Sequence, residues 1–248
     1  MTERWNDEEM RELGKYFKGN MTAITLFPRL KKINPSRTYE AMMTKIRHMR
    51  ESGYEQLREA SMKTLRVGYL DIEASNLNGD FGMILSWYIK TAGKNEYFSS
   101  VITKKEIFDY NFDKRIVEEL LETFKKYDVL YTHYGADGRF DVPFIRTRAF
   151  SHGLQDRLPR NMEMFIQDTY PIAKYKLRLH NNRLDSIADA IGVTIKKTPL
   201  SPHIWALASV GHPESLEYIE IHNKRDVQIL ERVHQKLKSV EKPGFHSI

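Results

Sequence analysis

The pattern of apolar and polar positions changes character once along the chain. Up to about residue 52 the apolar residues recur at helical spacing and no run alternates as a strand does; from Leu65 onward, β-rich apolar runs take turns with amphipathic segments. In the first stretch Met10, Leu13 and Phe17 share a helix face, with Asn6 placed to cap it and Gly19 to end it. A second helix is expected from about Met21 to Leu30. In the third, Ser36 or Thr38 caps a run in which Ala41, Met42, Ile46 and Met49 keep helical spacing. Three short helices of this kind predict a helix-turn-helix bundle. The Ser52-Gly53 pair breaks the third helix, so the expected division is a domain at 1–52, a linker at 53–64, a second domain at 65–240 and a flexible tail at 241–248 around the Lys242-Pro243-Gly244 turn.

The second domain opens with LRVGYLDIEAS, where Leu65, Val67 and Tyr69 alternate with less apolar positions as in a strand. GMILSWYIK and NEYFSSVITK read as two more strands, and the short NLNGDF loop and TAGKN turn between them predict an antiparallel meander. A helix around Lys114 to Tyr127 then leads into the strand DVLYTHYG, and helices dominate afterwards. The expected class is therefore α/β: a mixed sheet, antiparallel then parallel, flanked by helices and preceded by a small all-α domain.

Composition narrows the chemistry. The chain has no cysteine, which removes disulfides, thiolate catalysis and cysteine-bound zinc, so any metal must sit on carboxylates or histidines. A formal charge of +6 and a pI near 9.2 favour a polyanionic partner. No apolar run reaches the roughly 20 residues of a membrane span, and the charged start MTERWNDEEM is unlike a signal peptide, so a cytoplasmic protein without membrane contact is expected.

Three segments carry candidate catalytic acids. Asp71 and Glu73 lie two apart in a strand, so their side chains share a face, and they are embedded in apolar VGYLDIEA, where unpaired carboxylates are costly. Asp141 starts a helix after the glycine-rich turn of HYGADGRFDVPFI; an N-cap is the plainer use of such a residue. Asp226 sits in the helical run EYIEIHNKRDVQILERVHQKL with His222 one turn earlier, a spacing that a surface hydrogen bond also explains.

Together the DIE triplet, the FDVPFI run and HNKRDV resemble, in order and separation, the DEDD superfamily of 3′-to-5′ exonucleases, over about Leu65 to Leu237. YTHYGADGRFDVPFI, KLRLHNNRLDSIADAIGV and HNKRDVQIL are more closely similar to the predicted exonucleases of bacteria and phages. The resemblance implies a ribonuclease H-like fold and two Mg²⁺ or Mn²⁺ ions held by Asp71, Glu73, Asp141 and Asp226. Asp71 and Asp226 are then the most direct ligands, Glu73 also orients the attacking water, and Asp141 acts mainly through waters. Phosphodiester hydrolysis needs an acidified water, a stabilised phosphorane-like charge and a neutralised leaving oxygen, which two cations about 3.5 to 4 Å apart supply. His222 is the candidate general base. Its gap of four residues to Asp226 departs from the five usual in the superfamily's histidine branch and matches the tyrosine branch, whereas Tyr218 lies two turns away.

The first domain resembles the Myb/SANT-like helix-turn-helix family through Trp5 before Asp7, Glu8 and Glu9, then Leu13, and through the RTYEA opening of its third helix. Between Met21 and Arg50 seven lysines and arginines face the single acid Glu40, which points to Arg37, Lys45, Arg47, His48 and Arg50 as nucleic-acid contacts, a solvated basic face or a SANT-type protein-contact module being the alternative. In the second domain Asp168, Arg183 and Asp185 are candidates for the substrate groove, or equally for exposed charges and local ion pairs. Trp205, Trp87 and Phe81 are candidates for stacking bases or for the core, and Lys174, Lys176, Arg178 and His180 for a phosphate track or a solvated face. The expected protein is a two-metal 3′-to-5′ exonuclease tethered to nucleic acid, DNA rather than RNA. A metal-dependent endonuclease and a non-catalytic DNA-binding regulator are the alternatives.

Overall fold

The computed structural model describes residues 5–17, 22–49, 65–160, 163–241 and 246–247. Residue contacts divide the chain into two units, Met1–Thr64 and Leu65–Ile248. The expected linker at 53–64 lies outside the described residues.

In the first unit, α1 (Asp7–Phe17), α2 (Ala23–Ile33) and α3 (Tyr39–His48) surround one small core. Asn6 caps α1 by accepting from the amides of Glu8 and Glu9, while Thr22 and Thr38 cap the other two helices. Leu13, Leu26, Leu30, Met42, Ile46 and Met49 form the core, the apolar stripe that helical spacing requires to be covered. α2 runs past Leu30 to Ile33, where Asn34 closes it.

Arg37 corrects the sequence reading of a nucleic-acid contact. It is buried, donates to both oxygens of buried Glu9 at 2.7 and 3.0 Å, and stacks 4.0 Å from the Trp5 ring. A carboxylate taken out of water needs a cation, and Glu9 draws this one inward. Lys45 is half-buried, Arg47 and His48 are exposed on α3, and Arg50 lies outside the described residues.

The second unit holds a mixed sheet of β1 (Val67–Ala74), β2 (Ile84–Thr91), β3 (Tyr97–Val101), β4 (Val129–Thr132), β5 (Phe165–Asp168) and β6 (His246–Ser247), in the order β3-β2-β1-β4-β5-β6. The first three form the expected antiparallel meander; β4 and β5 run parallel to β1, and β6 is antiparallel to β5. Its helices are α4 (Lys104–Phe108), α5 (Lys114–Phe124), α6 (Asp141–Ser151), α7 (Thr169–Lys176), α8 (Leu184–Ala190), α9 (Pro202–Ser209) and α10 (Pro213–Leu237). This is a ribonuclease H-like arrangement. Among the described residues no helix is long and apolar enough to cross a membrane.

Both faces of the sheet are covered, so β1 is buried on both sides rather than alternating between core and solvent. Leu70 and Ile72 pack with α5 and α6 residues such as Leu120 and Ile145 on one face. Tyr69 packs with Val227, Leu230 and Val233 of α10 and Ile187 of α8 on the other. Two features depart from the sequence reading. β5 falls in a stretch expected to be helical, and four residues leading straight into α7 leave no period to detect. The tail is not wholly loose: Glu241 accepts from Tyr131, and His246 and Ser247 pair with β5, whose outer edge would otherwise be open.

Candidate metal centre and substrate groove

Asp71 and Glu73 lie on the β1 face that carries Tyr69, because strand side chains alternate, and that is the face α10 covers. Glu73 pairs with Ser86 of β2, and the register slips between Glu73 and Ala74, a bulge that ends regular pairing beside the acids. One helical turn after His222 and three residues after Asn223 comes Asp226. Asn223, fully buried, donates to the Ser86 side chain at 3.0 Å, and so docks α10 onto the strand opposite Glu73. His222 Nε2 then lies 3.5 Å from Glu73 Oε1 and 3.7 Å from Asp226 Oδ2. A ligand atom from each of Glu73, His222 and Asp226 lies within 4.8 Å of the others.

Asp141 reaches the same place from α6. Its Oδ1 accepts at 3.1 Å from the amide of Ile72, the residue between the two β1 acids, so it crosses to the strand instead of capping its own helix. Gly135 makes room for it, since a Cβ there would collide with the Asp141 carboxylate. The structure thus gathers Asp71, Glu73, Asp141, His222 and Asp226 from three elements. Tyr218 points elsewhere, donating to the Pro199 carbonyl at 2.6 Å.

The electrostatics reflect that crowding. Burial pushes Glu73 up to about 8, with Asp226 adding to the shift, and raises Asp141 to about 7. Asp71 is raised well above the ordinary aspartate value by desolvation first, then by Asp226, Asp141 and Glu73. Burial lowers His222 below the usual imidazole value, against the pull of Asp226. The sequence reading missed Lys197, whose Nζ lies 2.5 Å from Asp226 Oδ2. Burial disfavours its charge, but Asp226, Asp71 and Glu73 outweigh this and raise its pKa. Nothing in TIKKTPL distinguishes Lys197 from its neighbour Lys196, which pairs with exposed Asp189.

One lysine does not balance four carboxylates. Asp71 Oδ2 and Asp226 Oδ1 are sealed from solvent and have no hydrogen-bond partner, a costly state for a carboxylate oxygen. Hard oxygen donors converging with uncompensated negative charge suit hard divalent cations, so the residues fit the ions that the motifs imply.

Asp71, Glu73 and Asp141 open into a pocket of about 590 Å³, walled also by Asn76, Leu77, His133, Tyr134, Phe140 and Trp205. Of the candidate stacking residues, Trp205 lines this pocket, Phe81 is exposed, and Trp87 is core, donating to the Ile116 carbonyl. Asp168 is buried beneath the loop before Asp141 and accepts from the amides of Tyr134, Gly135 and Ala136 and from Arg139, so it shapes the groove without lining it. Arg183 and Asp185 are exposed at the start of α8 and do not wall the pocket. Lys174, Lys176, Arg178 and His180 are exposed on and just after α7.

A family model described as the RNase H superfamily matches residues 68–238. A DNA polymerase of Methanocaldococcus jannaschii is 27% identical over 140 residues, covering 47% of this chain but only 8% of the polymerase, so the chain spans a small part of that relative's length. Among solved structures, NrnC of Brucella melitensis aligns with a TM-score of 0.48 at 19% identity, over 71% of this chain and 74% of that one. A structure described as the apo form of a nuclease aligns with a TM-score of 0.48 at 14% identity, over 73% and 76%.

Proposed function

This chain belongs to the RNase H superfamily, and from that premise we propose that it is a metal-dependent nuclease that removes nucleotides from the 3′ end of a nucleic acid, DNA rather than RNA. The observation that carries the reading is the convergence of four carboxylates from β1, α6 and α10, two of whose sealed oxygens lack any partner.

Asp71 and Asp226 would hold the ions most directly, with Glu73 beside them and Asp141 contributing mainly through waters. Bound Mg²⁺ or Mn²⁺ supplies the Lewis acidity that hydrolysis needs. Glu73 orients the attacking water, and the His222 imidazole takes its proton at Nε2, the nitrogen that faces Glu73 and Asp226. Burial lowers the pKa of that imidazole against the pull of Asp226 and so favours its neutral, proton-accepting form. The four-residue spacing to Asp226 suits this role because one helical turn puts both groups on the face turned toward β1. Phe140 and Trp205 wall the pocket and exclude bulk water from the reacting phosphodiester.

The first unit acts as a tether. Arg47 and His48, with Lys45 and Arg50 of the same basic run, contact duplex nucleic acid and raise the local substrate concentration without joining the chemistry. The deciding experiment incubates the protein with Mg²⁺ or Mn²⁺ and end-labelled single- and double-stranded DNA and RNA. A ladder shortening from the 3′ end supports the reading, internal fragments at early times replace it with an endonuclease, and no hydrolysis under any condition removes it.

A further inference from the structure

Tyr134 is held in a backbone conformation that large side chains avoid. Its φ is +62°, in the left-handed region, and nearly half its surface is exposed, so no burial of the ring repays the strain. What holds it is Asp168: the amides of Tyr134, Gly135 and Ala136 all donate to that one carboxylate at 3.0 to 3.1 Å. The same carboxylate caps α7 by accepting from the amide of Tyr170 at 2.8 Å. One buried group therefore aims two tyrosines, whose rings meet edge to face with centroids 4.8 Å apart.

Cations surround the pair. Arg139, paired with Asp168, lies 5.8 Å from the Tyr134 ring and 5.1 Å from the Tyr170 ring. Lys174 lies 5.9 Å from the Tyr170 ring and 5.8 Å from that of the exposed Tyr175, and no carboxylate partners it among the described residues. Tyr134 also lines the pocket that holds Asp71, Glu73 and Asp141, so this aromatic and cationic surface is continuous with the acid cluster. Its charge is the opposite of the acids' and complements phosphate.

We propose that Tyr134 and Tyr170, with Lys174, form a stacking platform that leads a single-stranded polynucleotide into the acid pocket. The inference rests on the nuclease reading above and specifies the form of its substrate. An aromatic ring can stack only on a base whose face is open, and in a duplex both faces are covered by neighbouring pairs; every base has such a face whatever its sugar. The platform thus selects unpaired strands and does not itself tell DNA from RNA, so the preference for DNA proposed above has to come from elsewhere in the protein, while Lys174 contacts the backbone between stacked bases.

The test measures binding of the full-length protein, in EDTA, to fluorescently labelled oligothymidylate and oligouridylate of about twelve nucleotides, a length within the range a single-strand groove covers. Tyr134→Ala and Tyr170→Ala should each weaken binding of both strands by about fivefold or more, with Tyr134→Phe and Tyr170→Phe restoring it and a duplex of equal length unaffected. Lys174→Gln should lower the salt dependence by roughly one phosphate contact, a readout independent of whether the tyrosine variants fold. Photocrosslinking of 4-thiothymidine strands should mark the wild-type protein at Tyr134 or Tyr170. Wild-type affinity in both alanine variants, equal losses for duplex, or crosslinks confined to other segments would overturn the platform. If the wild type hydrolyses single strands while the variants bind them normally, the platform fails and the nuclease reading stands. If it neither binds nor hydrolyses any strand, both fall.

Discussion

At Asp71 the proposed function and the stability of the fold pull in opposite directions. The residue's inner oxygen has no partner, and burial first, then three neighbouring carboxylates, raise its pKa, so in the metal-free protein its charge is disfavoured. Asp71→Asn should abolish metal-dependent hydrolysis and raise the melting temperature of the metal-free protein. Wild-type turnover would remove Asp71 from the metal site. His222→Ala should lower turnover about a hundredfold or more, the scale of a lost general base, while metal binding followed by calorimetry changes little. Full activity would leave His222 a packing residue. Asp113, outside the site, has the opposite electrostatics. It is fully buried and burial works to raise its pKa, but hydrogen bonds from His152 and Arg148 hold it below the usual aspartate value. A depressed folded pKa means that the contribution is complete above the unfolded aspartate pKa and lost as pH falls through the lower folded value. Asp113→Ala should therefore cost about 3 kcal/mol or more at neutral pH, by urea denaturation, with the gap to wild type closing in acid. A gap independent of pH would show that packing, not charge, makes the difference.

At the scale of elements, the loop between β4 and α6 positions the site. Asp168, at the end of a strand the sequence did not announce, gathers three of the loop's amides, and Gly135 lets the Asp141 carboxylate lie against the loop backbone. Gly135→Ala should displace Asp141 and cut activity at least tenfold, since small misplacements of reacting groups are expensive. The same variant should retain its circular dichroism spectrum. If activity were unchanged, the loop would have to yield without moving the acid. The Asp71 and Glu73 pair was legible because a spacing of two in a strand fixes a common face. Lys197 was not, because it reaches its place through an irregular segment, and Asp168, singled out only as a candidate for the groove, could not be read as the carboxylate that gathers the loop, because it ends a short strand with no period of its own.

For the molecule as a whole, the two units are expected to divide affinity and chemistry. A chain beginning at Met62 should hydrolyse short oligonucleotides as the full chain does, but bind long duplex more weakly and with a shallower salt dependence, because fewer phosphates are neutralised. Titrations at several salt concentrations check this. An unaltered slope would turn the first unit into a protein-contact module, consistent with Arg37 being spent on Glu9 inside the core.

The sequence by itself determined the local periodicities, from which followed three short helices, the first and third with their caps, an antiparallel meander and a crossover to a parallel strand, and it put the acids of three motifs in order. These depend on interactions a few residues apart, which composition and spacing encode directly. Only the tertiary structure decided which charges are buried, that Asp141 crosses to the Ile72 amide, that Lys197 meets Asp226, and that one carboxylate aims Tyr134 and Tyr170. Desolvation and pairing across 29 or more residues of chain depend on how the elements pack, and no local pattern carries that information.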